Sequence, residues 1–83
     1  MTVPSTGPRE QVHDAGELGC GDGLAAWFRE RLHETPTGVV LCSIVRDPAA
    51  QVELPALARL MGQRVVSVEA LSEGLAIRVE KIT

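Results

Sequence analysis

Aromatic residues are scarce in this chain of 83 residues, which has one Phe, one Trp and no Tyr. Aliphatic side chains must therefore supply most of the hydrophobic core, and a chain of this length has room for one core only. The chain also has no excess of basic residues, since its formal net charge is -3. A nucleic-acid partner would need a basic face for phosphates and aromatic surface for bases, so we expect none.

Long apolar runs are also missing. No stretch approaches the roughly 20 apolar residues that cross a bilayer. The opening MTVPSTGPRE has neither the basic segment nor the apolar core of a secretory signal. We therefore expect no membrane partner and a cytoplasmic location. Residues 1–9 are rich in proline and small polar residues, which predicts a flexible tail ahead of a single domain at residues 10–83.

The chain has two cysteines, too few for a disulfide scaffold, and both are expected to be free thiols in a reducing compartment. Their spacing is not that of a CxxC redox pair. The side chains that could bind zinc match no common ligand spacing, and no glycine-rich phosphate motif or Ser-His-Asp pattern occurs. We expect no metal and no cofactor. The potential zinc ligands are His13, Cys20, His33 and Cys42.

Apolar periodicity predicts the first half of the fold. Alternation from Gln11 indicates a short strand, and apolar residues at helical spacing predict an amphipathic helix from Leu24 to Leu32. The run VVLCSIV at residues 39–45 is rich in β-branched residues, which favours a buried central strand. Cys42 lies in the middle of this run, where a cysteine usually behaves as a small hydrophobic residue.

A second helix and a hairpin are predicted in the second half. Asp47 is a candidate N-cap ahead of Pro48. Because Pro55 would break a helix interior, we expect a short turn at residues 48–52 and a main helix from near Leu54. The core-facing residues of that helix are predicted to be Leu57, Leu60 and Met61.

After Gly62 the apolar period changes to two, which predicts an antiparallel hairpin with Gly74 in its turn. The element order is then β-α-β-α-β-β. In so short a chain, this order implies an α/β (α+β) two-layer sandwich, in which both helices cover one face of a four-stranded mixed sheet.

Cys20 lies in the stretch DAGELGCGDG, just ahead of the first predicted helix. A helix N-terminus favours a thiolate, and the small flanking residues leave the sulfur accessible. The acids Glu17 and Asp22 act in the opposite direction and raise the thiol pKa. Two roles for Cys20 therefore stay open: a reactive thiol, or a small residue that fills a turn. Arg46 and Asp47 lie at a strand-to-helix junction, where a site or a simple helix cap is expected.

The chain resembles the TusA/SirA family of small sulfur carriers from about Val12 to Lys81. Three motifs carry the resemblance. Asp14, Gly16 and Cys20 match the first motif with slightly stretched spacing, Asp47-Pro48 matches the second, and Glu53-Leu54-Pro55 matches the acid-Ile-Pro step of the third. The family's Cys-Pro-x-Pro is replaced by Cys20-Gly21-Asp22-Gly23, which has the most permissive residue at both proline positions.

The resemblance implies a function and a site. Cys20 would accept sulfane sulfur as a persulfide from a donor, such as a cysteine desulfurase or a rhodanese-like protein, and would relay it to an acceptor protein. Supporting or docking roles would fall on the residues around it, namely Asp14, Gly16, Gly21, Asp22, Gly23, Arg46 and Asp47.

Two other classes of protein compete with a persulfide carrier. A non-catalytic binding or regulatory module could keep the fold without using the thiol, which the glycine-for-proline changes and the nearby acids favour. A ubiquitin-like carrier of a C-terminal thiocarboxylate is disfavoured because the ending EKIT has no Gly-Gly pair.

Overall fold

The computed structural model describes residues 9–83, so the predicted tail lies almost wholly outside the described residues. Two helices and four strands follow in the predicted order. They are β1 (Glu10–Asp14), α1 (Leu24–Glu34), β2 (Val40–Val45), α2 (Ala50–Leu60), β3 (Arg64–Leu71) and β4 (Gly74–Glu80).

The four strands form one mixed sheet in the order β1-β2-β4-β3. β1 runs parallel to β2, whereas β4 is antiparallel to both of its neighbours, β2 and β3. This arrangement confirms the predicted α+β fold. Each of the two helices has only 11 residues, and no helix in residues 9–83 is long and apolar enough to cross a bilayer.

The hydrophobic core lies between the helices and one face of the sheet. Leu24, Phe28 and Leu32 follow one another along α1 and have no exposed surface, as the helical periodicity predicts. They pack with alternate residues of the two central strands, because successive side chains of a strand point to opposite faces. The strand residues in this core cluster are Leu41, Val45, Leu75, Ile77 and Val79.

The start of α2 differs from the prediction. The helix begins at Ala50, not near Leu54, and Pro55 lies inside it. A proline in a helix leaves unpaired the carbonyl group four residues earlier, which here belongs to Gln51. Gln51 is exposed, so water can satisfy that carbonyl, and the helix continues through the proline.

The earlier helix start changes which side of α2 is buried. The buried stripe now contains Ala50, Leu54 and Ala58, spaced four residues apart. The prediction that Leu60 faces the core is wrong, because two residues beyond Ala58 a side chain points to the far side, and Leu60 is 85% exposed. Leu57 and Met61, at the edge of the stripe, are half-buried against the core.

The hairpin of β3 and β4 turns tightly and brings Gly74 against the end of β2. Leu71 pairs with Gly74, so Ser72 and Glu73 form the loop. Gly74 has φ +111°, and a Cβ atom at this position would collide with the carbonyl oxygen of Val45. The glycine is therefore required by both its backbone angle and the space available.

Replacing Gly74 with Ala tests this requirement. We expect the free energy of unfolding to fall by at least ~3 kcal/mol, because backbone strain and a steric clash act together. Gly38→Ala is the matched control, since Gly38 also has a positive φ of +89° but nothing within 4 Å of an added Cβ. Strain alone should cost that variant about 1–2 kcal/mol. If urea denaturation shows that the two variants lose the same free energy of unfolding, the close approach of Gly74 to Val45 is refuted.

Candidate functional site

Cys20 lies in a short 3-10 turn, Cys20–Asp22, which is inserted between β1 and α1. Gly23 then links this turn to the first residue of α1 through a left-handed backbone conformation. Gly21 and Asp22 are exposed, whereas Cys20 is half-buried and packs against the edge of the core. Cys20 therefore begins a turn of its own and does not lie in the first turn of α1.

Asp47 ties this turn to the start of α2. Its Oδ2 accepts a hydrogen bond of 2.8 Å from the backbone N–H of Cys20, and its Oδ1 accepts one of 2.9 Å from the backbone N–H of Ala49. A Cβ on residue 19 would lie 3.1 Å from Asp47 Oδ2, so Gly19 provides the room for this contact. The N-cap of α2 is Ala49, so the prediction that Asp47 is the N-cap is wrong. Asp47 instead organises the turn that precedes α2 and also holds the backbone of Cys20.

Arg46 and Asp14 fix the other side of the same loop. The guanidinium of Arg46 binds both carboxylate oxygens of Asp14, with Nη2 3.2 Å from Oδ2. Asp14 Oδ1 also accepts the backbone N–H of Gly16 at 2.7 Å. The hydrogen bond from Arg46 lowers the pKa of Asp14. The ion pair therefore joins the ends of the parallel strands β1 and β2 below the cysteine turn.

The electrostatic environment of the Cys20 thiol is acidic. A hydrogen bond from the thiol to Glu53, together with burial and the negative charge of Asp47, raises the thiol pKa to about 12. The sequence pointed to Glu17 and Asp22 as the opposing acids, but the acids that reach the sulfur are Glu53 and Asp47. Neither belongs to the cysteine loop, because Asp47 precedes α2 and Glu53 lies in its first turn. Of the two readings that the sequence left open, a thiolate at Cys20 is thus disfavoured in the free protein.

Glu53 is the site residue that sequence reasoning missed. It lies in the first turn of α2, and its carboxylate is the largest of the causes that raise the pKa of the Cys20 thiol. Its only signal in the sequence was the Glu53-Leu54-Pro55 step. The structure brings the predicted residues together in two hydrogen-bonded groups. Asp14, Gly16 and Arg46 form one, and Asp47 with the backbone of Cys20 forms the other.

Cys42 lies on the opposite face of the sheet from the helices. It is only 2% exposed, and burial raises its pKa. Its cross-strand partner is Arg78, whose guanidinium donates to Glu10 at 2.9 Å and to Glu69 at 2.8 Å. Because Glu10 is on β1 and Glu69 is on β3, this side chain spans the sheet beside Cys42. An ion-pair bridge therefore covers the second thiol.

We searched residues 9–83 for side chains that could bind a metal ion together. Within residues 9–83, no three side chains of His, Cys, Asp or Glu come together in a group that could hold a metal ion.

Comparison with known proteins identifies the class to which this chain belongs. No protein-family model matches it. A protein of Archaeoglobus fulgidus named "Putative sulfur carrier protein" is 33% identical to it over 54 residues, which span 65% of this chain and 70% of that relative. At this identity and coverage, the chain belongs to the sulfur carrier family represented by the archaeal protein.

The acidic surroundings of Cys20 predict its titration. In a Cys42→Ser variant, little thiolate absorbance in the ultraviolet should develop near the ordinary cysteine pKa of about 8.5. Glu53→Gln should shift the titration to lower pH, since the carboxylate that contributes most to the raised pKa is removed. Glu17→Gln removes one charge nearby without this effect and should leave the titration unchanged. An ordinary cysteine titration in the parent protein would contradict the geometry.

The bridge over Cys42 predicts the reactivity of that thiol. In a Cys20→Ser variant, Cys42 should react with a maleimide much more slowly than it does in the unfolded chain. Arg78→Ala should speed the reaction severalfold because the cover is removed. Arg64→Ala is the control, since Arg64 pairs with Glu80 on the same face without reaching across Cys42. Equal rates for the two arginine variants would rule out the cover.

Proposed function

We propose that this protein carries sulfane sulfur as a persulfide on Cys20. The observation that supports this proposal most strongly is the placement of a half-buried thiol on a turn that is held at its backbone by Asp47. Membership of a sulfur carrier family adds independent support. A carrier needs an accessible sulfur on a rigid support, because its partner enzyme can supply the rest of the reaction.

The transfer is an exchange between two sulfur atoms. The Cys20 sulfur attacks the outer sulfur of a persulfide on the donor protein. The S–S bond of the donor breaks, and its electron pair stays on the donor's cysteine as a thiolate. The new S–S bond is on Cys20, and the proton of Cys20 passes to the departing thiolate. No net oxidation occurs.

The surface around Cys20 would dock the two partners. Gly21 and Asp22 are exposed on the turn itself, and Glu53 is exposed beside it. Supporting roles would fall on the neighbouring residues Asp14, Gly16, Gly23, Arg46 and Asp47. The donor would be a cysteine desulfurase or a rhodanese-like protein, and the exchange would take place in the cytoplasm. The acceptor would remove the sulfur by the same reaction in the opposite direction.

A second candidate function is a binding or regulatory module that keeps the fold without using its thiol. The raised pKa of Cys20, about 12, favours this alternative, since a protonated thiol is a poor nucleophile. Sulfur loading distinguishes the two functions.

Loading is measured by incubating the reduced protein with a cysteine desulfurase and cysteine, and then recording its intact mass with and without a reductant. We expect a reducible gain of one sulfur atom. Cys20→Ser should abolish the gain, because it removes the acceptor sulfur.

The matched control is Cys42→Ser, which removes the covered thiol and should retain the gain. Loading that depends on Cys42 would contradict the assignment of Cys20. The absence of any gain from several donors, in protein shown to be folded by circular dichroism, would favour the binding module.

A further inference from the structure

A cavity lies beside the end of α1 that is farther from the cysteine turn. Its volume is about 350 Å³, near the lower end of the roughly 300–1,000 Å³ that is typical of sites for small ligands. The cysteine turn precedes the first residue of α1, and the helix is roughly 16 Å long. The cavity is therefore separate from the proposed sulfur site. Its lining residues are Arg29, His33, Met61, Gln63, Lys81 and Thr83.

The lining of this cavity is basic, although the chain as a whole is acidic. Arg29, His33 and Lys81 have basic side chains, and no Asp or Glu of residues 9–83 lines the cavity. The formal net charge of the chain, by contrast, is -3. A cleft lined by charges of one sign concentrates the electric field and attracts ions of the opposite sign. The lining therefore favours an anionic ligand.

Lys81 offsets a negative charge that would otherwise repel an anion from this place. The C-terminus of a helix has unpaired carbonyl groups and carries a partial negative charge. Lys81 Nζ donates to the carbonyl oxygen of Leu32 at 2.9 Å. It also donates to those of His33 at 3.5 Å and Thr35 at 3.2 Å. The three ammonium hydrogens are thereby engaged, so Lys81 contributes charge to the cavity but no further hydrogen bond.

Gln63 forms a fixed wall of the cavity. Its side chain is buried, and its Oε1 accepts the backbone N–H of Ile82 at 2.8 Å. Its Nε2 donates to Oγ1 of Thr83 at 2.9 Å and to the carbonyl oxygen of Met61 at 3.3 Å. Both amide hydrogens are therefore in use within the protein. The donors that remain for a ligand belong to α1.

Arg29 and His33 provide these donors. They are four residues apart on α1, so their side chains lie on the same side of the helix, and both are exposed. None of the ion pairs within residues 9–83 includes Arg29. A guanidinium presents a planar fork of N–H donors that matches the oxygens of a phosphate, and an imidazole adds one more N–H.

We propose that this cavity binds a small molecule through a phosphate group. A phosphate group carries about -1.5 to -2 charges at neutral pH, which suits several basic side chains better than the single charge of a carboxylate does. Arg29 and His33 donate hydrogen bonds to its oxygens, and Lys81 adds its charge from the end of α1. The half-buried side chain of Met61 offers an apolar surface to the rest of the ligand. This site is independent of the sulfur chemistry proposed for Cys20.

The test uses inorganic phosphate as the probe and the full chain labelled with nitrogen-15. Two-dimensional amide NMR spectra are recorded during the titration at neutral pH, with chloride holding the ionic strength constant. We expect saturable shifts at the amides of Arg29, His33 and Lys81, and none in the turn Cys20–Asp22. Acetate should bind more weakly than phosphate at the same ionic strength, because it carries a single charge.

Replacing Arg29 with Gln removes the free guanidinium from the cavity. Because the loss of a charge-assisted hydrogen bond costs about tenfold in affinity or more, we expect the Kd for phosphate to rise at least ~10-fold. His33→Gln should also weaken binding, since it removes the imidazole. The matched control is Arg59→Gln, which removes the same charge from an exposed arginine that does not line the cavity and should leave the Kd nearly unchanged.

Two results would overturn the inference. Equal weakening by Arg29→Gln and Arg59→Gln would show that phosphate responds to overall charge and is not held in the cavity. Shifts that grow without saturation, or that centre on the cysteine turn, would place no phosphate site here. Circular dichroism checks the fold of each variant, and the exposed positions of both arginines favour a retained fold. Sulfur loading should be equal in Arg29→Gln and the parent, so the two proposals fail or stand separately.

Discussion

The carboxylate of Asp47 is the constraint on which the site depends. One of its oxygens binds the backbone of Cys20 and the other binds the turn ahead of α2, so a single side chain joins segments 27 residues apart in sequence. The ion pair of Arg46 with Asp14 holds the adjacent strand ends. The cysteine turn contains permissive glycines, yet it is anchored to the sheet through these two neighbouring residues. Anchoring by Asp47 thus restrains the cysteine turn, as the two prolines of the family's Cys-Pro-x-Pro motif would do by stiffening the backbone.

This anchoring has an electrostatic cost, because it places an acid beside the thiol. Together with Glu53, Asp47 keeps Cys20 protonated when no partner is bound. Oxidation of cysteine follows thiolate character and exposure, so a protonated and half-buried thiol is protected from stray oxidants. A carrier benefits from a sulfur that is inert alone and reactive only against a correctly placed donor.

The sequence predicted the layout well and the local geometry less well. Apolar periodicity marks α1, β2 and the hairpin directly, because burial in this fold follows regular spacing. The sequence places the start of α2 too late, because Pro55 is expected to break a helix interior. The helix in fact passes through Pro55, since the carbonyl left unpaired belongs to the exposed Gln51. The continuous apolar run of β2 could not reveal that Cys42 faces away from the helices. The effect of Glu53 on the pKa of Cys20 depends on tertiary packing, and only the family motif pointed to Glu53.

The most direct test of the central claim is to locate the transferred sulfur in the wild-type protein. After loading by a cysteine desulfurase, the persulfide is trapped by alkylation, and tandem mass spectrometry of the digested protein identifies the peptide that carries the extra sulfur atom. The account predicts that it lies on Cys20, in the turn held by Asp47. Sulfur found on Cys42, beneath the bridge formed by Arg78, would contradict the account.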